Sequence, residues 1–136
     1  MSLEFLDTNI VVYAHSGNAG HKQVVAADLL GTLVEAGNAA MSVQVLVEFY
    51  SAATRKLGFT SEAAEAIIAD FGNVALHRLA HADLARSARL QRRYKISWWD
   101  ALIVNSAQEL GCSVLWSEDL KHGQSFGALT VRNPFR

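Results

Sequence analysis

Apolar residues recur at a spacing of three to four positions along most of the chain. This spacing is typical of amphipathic helices and predicts them at residues 21–36, 43–57, 61–71, 81–95 and 98–111. Shorter apolar runs predict buried strands at residues 3–6, 39–41, 74–76, 114–116 and 129–131. Ser42 and Ser97 are suitable N-caps, and Gly58, Gly72 and Gly111 are suitable helix terminators.

The predicted strands alternate with the predicted helices, and the strands are much shorter than the helices. This alternation favours an α/β fold in which helices cover a mostly parallel sheet. In such folds, ligands bind beyond the carboxyl ends of the strands. We therefore look for functional residues directly after the predicted strands.

Length and composition narrow the class of protein. The chain has 136 residues, 51% of them hydrophobic, and no Pro-rich or Ser/Gly-rich linker divides it. We expect a single domain over residues 1–136. No apolar run is long enough to span a membrane, and the N-terminal residues do not resemble a secretory signal. Cys112 is the only cysteine, which excludes an internal disulfide. We expect a cytoplasmic protein with no membrane partner.

Four carboxylates stand where the apolar pattern predicts other residue types. Asp7 and Asp119 follow predicted strands, whereas Glu48 and Asp100 lie on the apolar faces of predicted helices. Each has a structural explanation of its own, as a turn residue, an N-cap, a capping-box partner or a residue at the rim of the core. Together they are harder to explain, because gathering carboxylates away from water requires a cation.

A site built only from oxygen ligands favours Mg²⁺ or Mn²⁺ over zinc. Such a cation suits phosphodiester hydrolysis, because it neutralises the phosphate and lowers the pKa of a bound water. Thr8, Asn9 and Ser117 stand beside the acids in the sequence and are candidates to orient them by hydrogen bonds. Glu118 directly precedes Asp119, so either could be the direct ligand; we expect Asp119, with Glu118 behind it or in solvent.

These segments resemble the PIN-domain family, and within it the VapC-type toxin ribonucleases. The resemblance rests on the segments Phe5-Leu6-Asp7-Thr8-Asn9, Ser42-Val43-Gln44-Val45-Leu46-Val47-Glu48-Phe49, Ser97-Trp98-Trp99-Asp100-Ala101-Leu102-Ile103, Leu115-Trp116-Ser117-Glu118-Asp119-Leu120 and Asn133-Pro134-Phe135. They span nearly the whole chain in the order found in the family.

The resemblance implies a three-layer α/β/α fold with a short, mostly parallel central sheet. It also implies a Mg²⁺- or Mn²⁺-dependent endoribonuclease that acts as the toxin of a type II toxin–antitoxin system. The family's four-acid site corresponds here to Asp7, Glu48, Asp100 and Asp119. The implied partners are an RNA substrate, a small cognate antitoxin that commonly inserts a segment near the acids, and a second copy of the chain in a homodimer.

The charge pattern adds one further candidate. The net charge is −1, which does not favour nucleic-acid binding, but five of the twelve cations lie between residues 86 and 95. Arg86, Arg89 and Arg93 share one face of the predicted helix there. They are candidates for contacts with RNA phosphates, and a solvated helix face is the alternative.

Two other functions compete with the nuclease. An Asp-based phosphotransfer enzyme of the haloacid-dehalogenase type would also use an Asp after a strand, but it normally has a second Asp where this chain has Asn9. A catalytically inactive PIN-fold binding module is the second alternative. The presence of all four acids argues against it, because a pure binding protein gains nothing from an uncompensated acidic cluster.

Overall fold

Strands and helices alternate along residues 2–136, the part of the chain that the computed structural model describes. The strands are β1 (Glu4–Leu6), β2 (Ala39–Ser42), β3 (Ala75–His77), β4 (Val114–Trp116), β5 (Ser125–Phe126) and β6 (Leu129–Arg132). The α-helices are α1 (Thr8–Ala14), α2 (His21–Ala36), α3 (Val43–Arg55), α4 (Ser61–Asp70), α5 (His81–Tyr94) and α6 (Trp98–Glu109), and a 3₁₀ turn follows α4 at Phe71–Asn73.

The strands form one sheet in the order β3-β2-β1-β4-β6-β5. All neighbouring strands are parallel except β5 and β6, which form an antiparallel pair. β1 lies between β2 and β4, with Leu6 opposite Trp116. The strand order therefore reverses direction between β1 and β4, and the carboxyl ends of these two strands lie side by side. This is the position at which open α/β sheets bind ligands.

Helices cover both faces of the sheet. α1 packs against α2 and α3, α3 packs against α4, and α5 packs against α6. The connections from β1 to β3 run in one direction across the sheet, and the connection from β3 to β4 runs back. Because such crossovers are right-handed, α1–α4 lie on one face and α5 and α6 on the other. The predicted α/β/α fold with a mostly parallel sheet is confirmed.

The apolar core holds the two central strands and α6 in place. Phe5, Leu6 and Leu115 are fully buried. Every residue of α6 from Ala101 to Ala107 is buried as well, so this helix is enclosed by the rest of the chain. The first turn of α6 is consequently fixed relative to the ends of β1 and β4.

Most predicted elements are present, with ends that differ by one or two residues. Ser42 and Ser97 cap α3 and α6 as predicted, since their hydroxyls accept hydrogen bonds from backbone amides at 3.2 Å and 3.1 Å. Gly111 follows α6 in the left-handed conformation, at φ 70°. Gly72 lies within the 3₁₀ turn, and α4 already ends at Asp70.

Two elements were missed. The pattern predicted nothing at residues 8–14, where the structure has α1, because three β-branched residues in a row obscure the helical spacing. The strand β5 is only two residues long and has no pattern of its own. Within residues 2–136, no helix has the length and apolar character needed to cross a membrane.

Candidate active site

Asp7 stands at the centre of the site, directly after β1, and its side chain is buried, with 4% exposed. It caps α1, because its Oδ1 accepts a 2.7 Å hydrogen bond from the Thr8 amide. Its Oδ2 accepts a 2.7 Å hydrogen bond from the Ser117 hydroxyl. Burial nevertheless raises the pKa of Asp7 to about 7, and the nearby charges of Asp119 and Asp100 act in the same direction. The turn role considered for Asp7 is thus real, and it does not relieve the cost of burying its charge.

Asp119 reaches the same edge of the sheet from the loop after β4. Its amide donates a 3.1 Å hydrogen bond to the Ser117 hydroxyl oxygen. Asn9 Nδ2 donates to Asp119 Oδ2 at 3.1 Å and to Asp7 Oδ2 at 3.4 Å. Asn9 and Ser117 therefore hold the two acids together. Residues 117–124 form turns and bends, so Asp119 does not cap a helix there.

Asp100 lies in the first turn of α6 and is half-buried. Its pKa is raised, first by burial and then by the negative charges of Asp119 and Glu48. Asp100 therefore lies close enough to Asp119 and Glu48 for their negative charges to act on it. The hydrogen bond with Ser97 acts in the opposite direction on this pKa and does not cancel the rise.

Glu48 extends from the middle of α3 towards α1. The Thr8 hydroxyl donates a hydrogen bond to its Oε1, and Gln44 Nε2 donates to its Oε2 at 3.3 Å. Thr8 is the neighbour of Asp7, so this hydrogen bond ties Glu48 to the end of β1. The structure thus brings all four predicted carboxylates to the carboxyl edge of the sheet, around the ends of β1 and β4.

Glu118 contacts other side chains than Asp119 does. It forms an ion pair with Lys22 and accepts a 2.8 Å hydrogen bond from the Tyr13 hydroxyl. Burial raises the pKa of Glu118, but Lys22 and Tyr13 outweigh this effect and leave the pKa below its usual value. The Lys22 ammonium also lies 5.3 Å from the centre of the Phe135 ring. Sequence reasoning missed Tyr13 and Lys22. They lie on α1 and α2, and only the tertiary fold brings these helices to the loop after β4 that carries Glu118.

The donor chemistry of the site fits a hard divalent cation. All four carboxylates offer only oxygen, and two of them have raised pKa values that a nearby positive charge would reverse. Among residues 2–136, no three His, Cys, Asp or Glu side chains are already arranged as a metal-binding group. The carboxylates instead accept hydrogen bonds from Thr8, Asn9 and Ser117.

An apolar groove of about 690 Å³ borders the acids. Glu48 is part of its lining, together with Val43, Gln44, Val47, Arg78, Leu79 and Trp99. Val47 and Trp99 are each 63% exposed, and with the exposed Val43 and Leu79 they form a contiguous apolar patch. The groove therefore places exposed apolar surface next to a carboxylate of the site.

The predicted arginines lie elsewhere. Arg86, Arg89 and Arg93 line a groove formed by α5 and α6, and none of the four carboxylates is part of its lining. Arg86 donates hydrogen bonds to Asp83 and Glu109 at 2.8 Å and 2.6 Å. Its guanidinium is thus occupied by two carboxylates of the same chain.

The model of the PIN-domain family matches residues 5–124, and the chain belongs to this family. The match includes the four carboxylates and both central strands. The family resemblance of the sequence motifs is confirmed. No curated protein matched the chain.

A solved toxin structure and chains of solved toxin–antitoxin complexes share the fold. The chain is similar to a chain of a toxin–antitoxin complex from Klebsiella pneumoniae, with a TM-score of 0.72, 21% identity and coverage of 96% of this chain and 97% of that one. It is also similar to VapC20 of Mycobacterium tuberculosis, described as a sarcin-ricin loop cleaving toxin, with a TM-score of 0.67, 21% identity and coverage of 85% and 90%. VapBC2 of Rickettsia felis, bound to a DNA fragment from its promoter, matches with a TM-score of 0.68, 18% identity and coverage of 96% and 98%.

Proposed function

We propose that the chain is a metal-dependent endoribonuclease that hydrolyses RNA phosphodiester bonds in the cytoplasm and serves as the toxin of a type II toxin–antitoxin pair. The observation that carries this proposal is the convergence of Asp7, Glu48, Asp100 and Asp119 at one edge of the sheet. Hydrogen bonds through Thr8, Asn9 and Ser117 link three of these acids, and the charges of Asp119 and Glu48 help to raise the pKa of the fourth, Asp100. Membership of the PIN-domain family and the similarity to toxin structures support it.

Asp7, Glu48, Asp100 and Asp119 would hold Mg²⁺ or Mn²⁺. When bound, such a cation neutralises phosphate charge and supplies a water of lowered pKa. Their burial is graded, from the buried Asp7 through the half-buried Glu48 and Asp100 to the exposed Asp119. An RNA phosphate would therefore approach from the side of Asp119.

The neighbouring polar residues hold the acids in place. Ser117 and Asn9 donate to Asp7 and so hold its carboxylate in one orientation. Thr8 does the same for Glu48. Such partners of metal ligands maintain the geometry of a site, and losing one typically costs roughly 10- to 100-fold in metal affinity or activity.

The apolar groove beside Glu48 supports the partner part of the proposal. Its exposed Val47 and Trp99 fit the apolar side chains of a cognate antitoxin segment. A basic residue of the same segment would pair with Glu48 and block the site. Exposed apolar side chains on α3, among them Val43 and Tyr50, also favour a homodimer.

Cleavage of RNA by the purified protein, freed of any antitoxin, tests the proposal. Total cellular RNA is incubated with the protein and Mg²⁺ or Mn²⁺, with EDTA as the metal control. We expect discrete fragments that disappear with EDTA and in the Asp100→Asn variant. The Asp28→Asn variant is the matched control, because Asp28 is exposed on α2 and outside the acid cluster.

The stability of the Asp100→Asn variant separates a catalytic role from a structural one. The substitution keeps the backbone amide that Ser97 caps and removes repulsion from Asp119 and Glu48. Without metal, the variant is expected to be as stable as the wild type or more stable. A strongly destabilised variant that still cleaves RNA would favour the capping role. Bound metal without cleavage would indicate that the RNA mixture lacks a narrow substrate or that antitoxin remains bound, whereas the absence of both metal binding and cleavage would favour the inactive binding module.

A further inference from the structure

A second groove, on the α5 and α6 side of the molecule, is strongly basic. It has a volume of about 620 Å³. Its lining consists of Arg86, Arg89, Leu90, Arg92, Arg93 and Gln108. We refer to it as the arginine groove. Four of these six residues are cationic, in a protein whose net charge is −1.

One of the four arginines is already neutralised. Arg86 lies between Asp83 and Glu109 and bonds to both. Asp83 is buried and also accepts a 3.0 Å hydrogen bond from Asn105 Nδ2. Arg86 therefore belongs to a network that joins α5 to α6, and it lines the groove without adding free positive charge.

The other three arginines are exposed and carry their full charge. Arg89, Arg92 and Arg93 occupy adjacent turns on one face of α5. Within residues 2–136, none of them lies within ion-pair distance of a carboxylate. Three unpaired guanidinium groups on about one and a half helical turns repel one another, so this surface favours a ligand with several negative charges.

The groove is built on a fixed base. Gln108 Nε2 donates a 3.1 Å hydrogen bond to the carbonyl oxygen of Phe126. Tyr94, at the end of α5, packs edge-on against Phe126 with the ring centres 4.6 Å apart. Both α5 and α6 are thereby attached to β5. The backbone that carries the arginines is preorganised for a ligand, which reduces the entropy lost on binding.

We propose that Arg89, Arg92 and Arg93 dock RNA phosphates that lie away from the bond to be cleaved. This proposal rests on the proposed nuclease function. Guanidinium groups match phosphate geometry and remain charged at any physiological pH. A cationic surface apart from the acids would hold the rest of the polyanion, while the metal held by the acids neutralises charge only at the bond to be cleaved.

The position of the groove relative to the acids fits one RNA molecule in contact with both. α6 joins them, with Asp100 in its first turn and Gln108 in the wall of the groove. These residues are separated along the helix axis by roughly 12 Å, at 1.5 Å per residue. Because α6 is buried between these two residues, an RNA strand in contact with both sites would pass over the surface of the molecule and span at least this distance.

RNA binding by variants without these charges tests the proposal. The test variant combines Arg89→Gln, Arg92→Gln and Arg93→Gln, and all three positions are exposed, so the fold is expected to persist. The control variant combines Arg55→Gln, Lys56→Gln and Arg136→Gln, which removes the same charge from other exposed positions. Both carry Asp100→Asn to prevent cleavage. Binding of a short fluorescent single-stranded RNA is measured by anisotropy over a range of salt concentrations.

We expect the test variant to lose at least about tenfold in affinity at low salt. The slope of log K against log salt should fall in magnitude by about two, since each phosphate contact contributes roughly 0.7 for a single strand. The parent protein carries Asp100→Asn alone. The control variant should keep the slope of this parent to within about 0.7. If the two variants have equal slopes and the parent still binds RNA, the proposal that the arginine groove docks RNA is wrong. The nuclease proposal is not affected by that result.

A second probe separates RNA from an acidic protein partner. Binding of a fluorescent polyglutamate peptide is measured with the same proteins. If the test variant loses peptide binding but keeps RNA binding, the groove serves an acidic peptide and the proposal is wrong. If the parent protein binds no RNA and the wild type cleaves none with metal, the nuclease proposal and the groove proposal fail together.

Discussion

The Ser117 hydroxyl donates a 2.7 Å hydrogen bond to Oδ2 of Asp7 and thereby joins the residue after β4 to the residue after β1. Both residues are buried, although they are 110 positions apart in the chain. The same hydroxyl oxygen accepts from the Asp119 amide. One serine therefore positions two of the four carboxylates at the point where the strand order of the sheet reverses.

Replacing Ser117 with alanine tests this relationship. Ser117→Ala removes the hydrogen bond that lowers the pKa of Asp7, so that pKa should rise further. With Asp7 ionised, the buried carboxylate loses a partner, and the free energy of unfolding should fall by about 1–3 kcal/mol. Urea unfolding at a pH well above 7 measures this. Ser113→Ala is the control, because the Ser113 hydroxyl donates only to the hydroxyl of the exposed Ser2; equal losses in the two variants would contradict the account.

Asp7 should also make the metal-free protein less stable as pH rises. Burial raises its pKa from 3.8 to about 7, so between these values the folded state binds more protons than the unfolded state. The contribution of Asp7 to stability is therefore most favourable below about pH 4, and it is lost as the pH rises through about 7. In EDTA, the difference in unfolding free energy between Asp7→Asn and the wild type should grow across that range. Asp28→Asn, at an exposed position outside the acid cluster, is the control; a difference for Asp7→Asn that does not change with pH would refute the assignment.

Lys22 should support catalysis without touching the substrate. Lys22→Gln removes the ion pair that holds Glu118 and so loosens the loop that carries Asp119. Cleavage is expected to slow by roughly tenfold, as for other residues that orient metal ligands. The loss of stability should be small, because Lys22 is partly exposed and ion pairs in contact with water contribute little to stability. Steady-state kinetics measures the cleavage rate and thermal unfolding measures the stability, with Lys56→Gln as the exposed control. Unchanged cleavage would mean that the loop is held by other contacts.

Asp83 should matter at low pH. It is buried, which raises its pKa, but bonds from the Ala80 amide, Asn105 and Arg86 outweigh burial and lower the pKa to about 2. The contribution of Asp83 to stability is therefore complete above about pH 4, and it is lost as the pH falls towards 2. Asp83→Asn should cost about 2–4 kcal/mol at neutral pH, with the difference from the wild type shrinking in acid. Chemical unfolding over this pH range measures it, and a constant difference would contradict the charged network.

The sequence predicted the regular parts of the fold because local patterns specify them. Serine caps and apolar spacing located α3 and α6, and the alternation of elements predicted a parallel sheet. The helix α1 was missed because Ile10, Val11 and Val12 favour extended structure locally. An Asp in the N-cap position and the helical spacing of the apolar residues Ile10, Val11 and Ala14 were the signals in the sequence that could have revealed it.

The site was predictable only in part, for a similar reason. The acids after β1 and β4 stand out, since carboxylates there follow buried strands. The partners of Glu118 do not stand out, because Lys22 and Tyr13 meet it only through the packing of α1 on α2. Likewise, the pairing of Arg86 with Glu109 depends on how α5 crosses α6, which no local pattern encodes.

Calorimetric titration with Mn²⁺ tests most directly whether the four carboxylates form one metal site. Asp7→Asn, Glu48→Gln, Asp100→Asn and Asp119→Asn are compared with the wild type, and Asp28→Asn serves as the control because Asp28 is exposed on α2 and outside the acid cluster. We predict that the wild type binds Mn²⁺ and that each of the four substitutions weakens binding by roughly tenfold or more, while Asp28→Asn changes it by less than about threefold. A wild-type protein that binds no Mn²⁺, or four variants that bind it as tightly as the wild type does, would contradict the account.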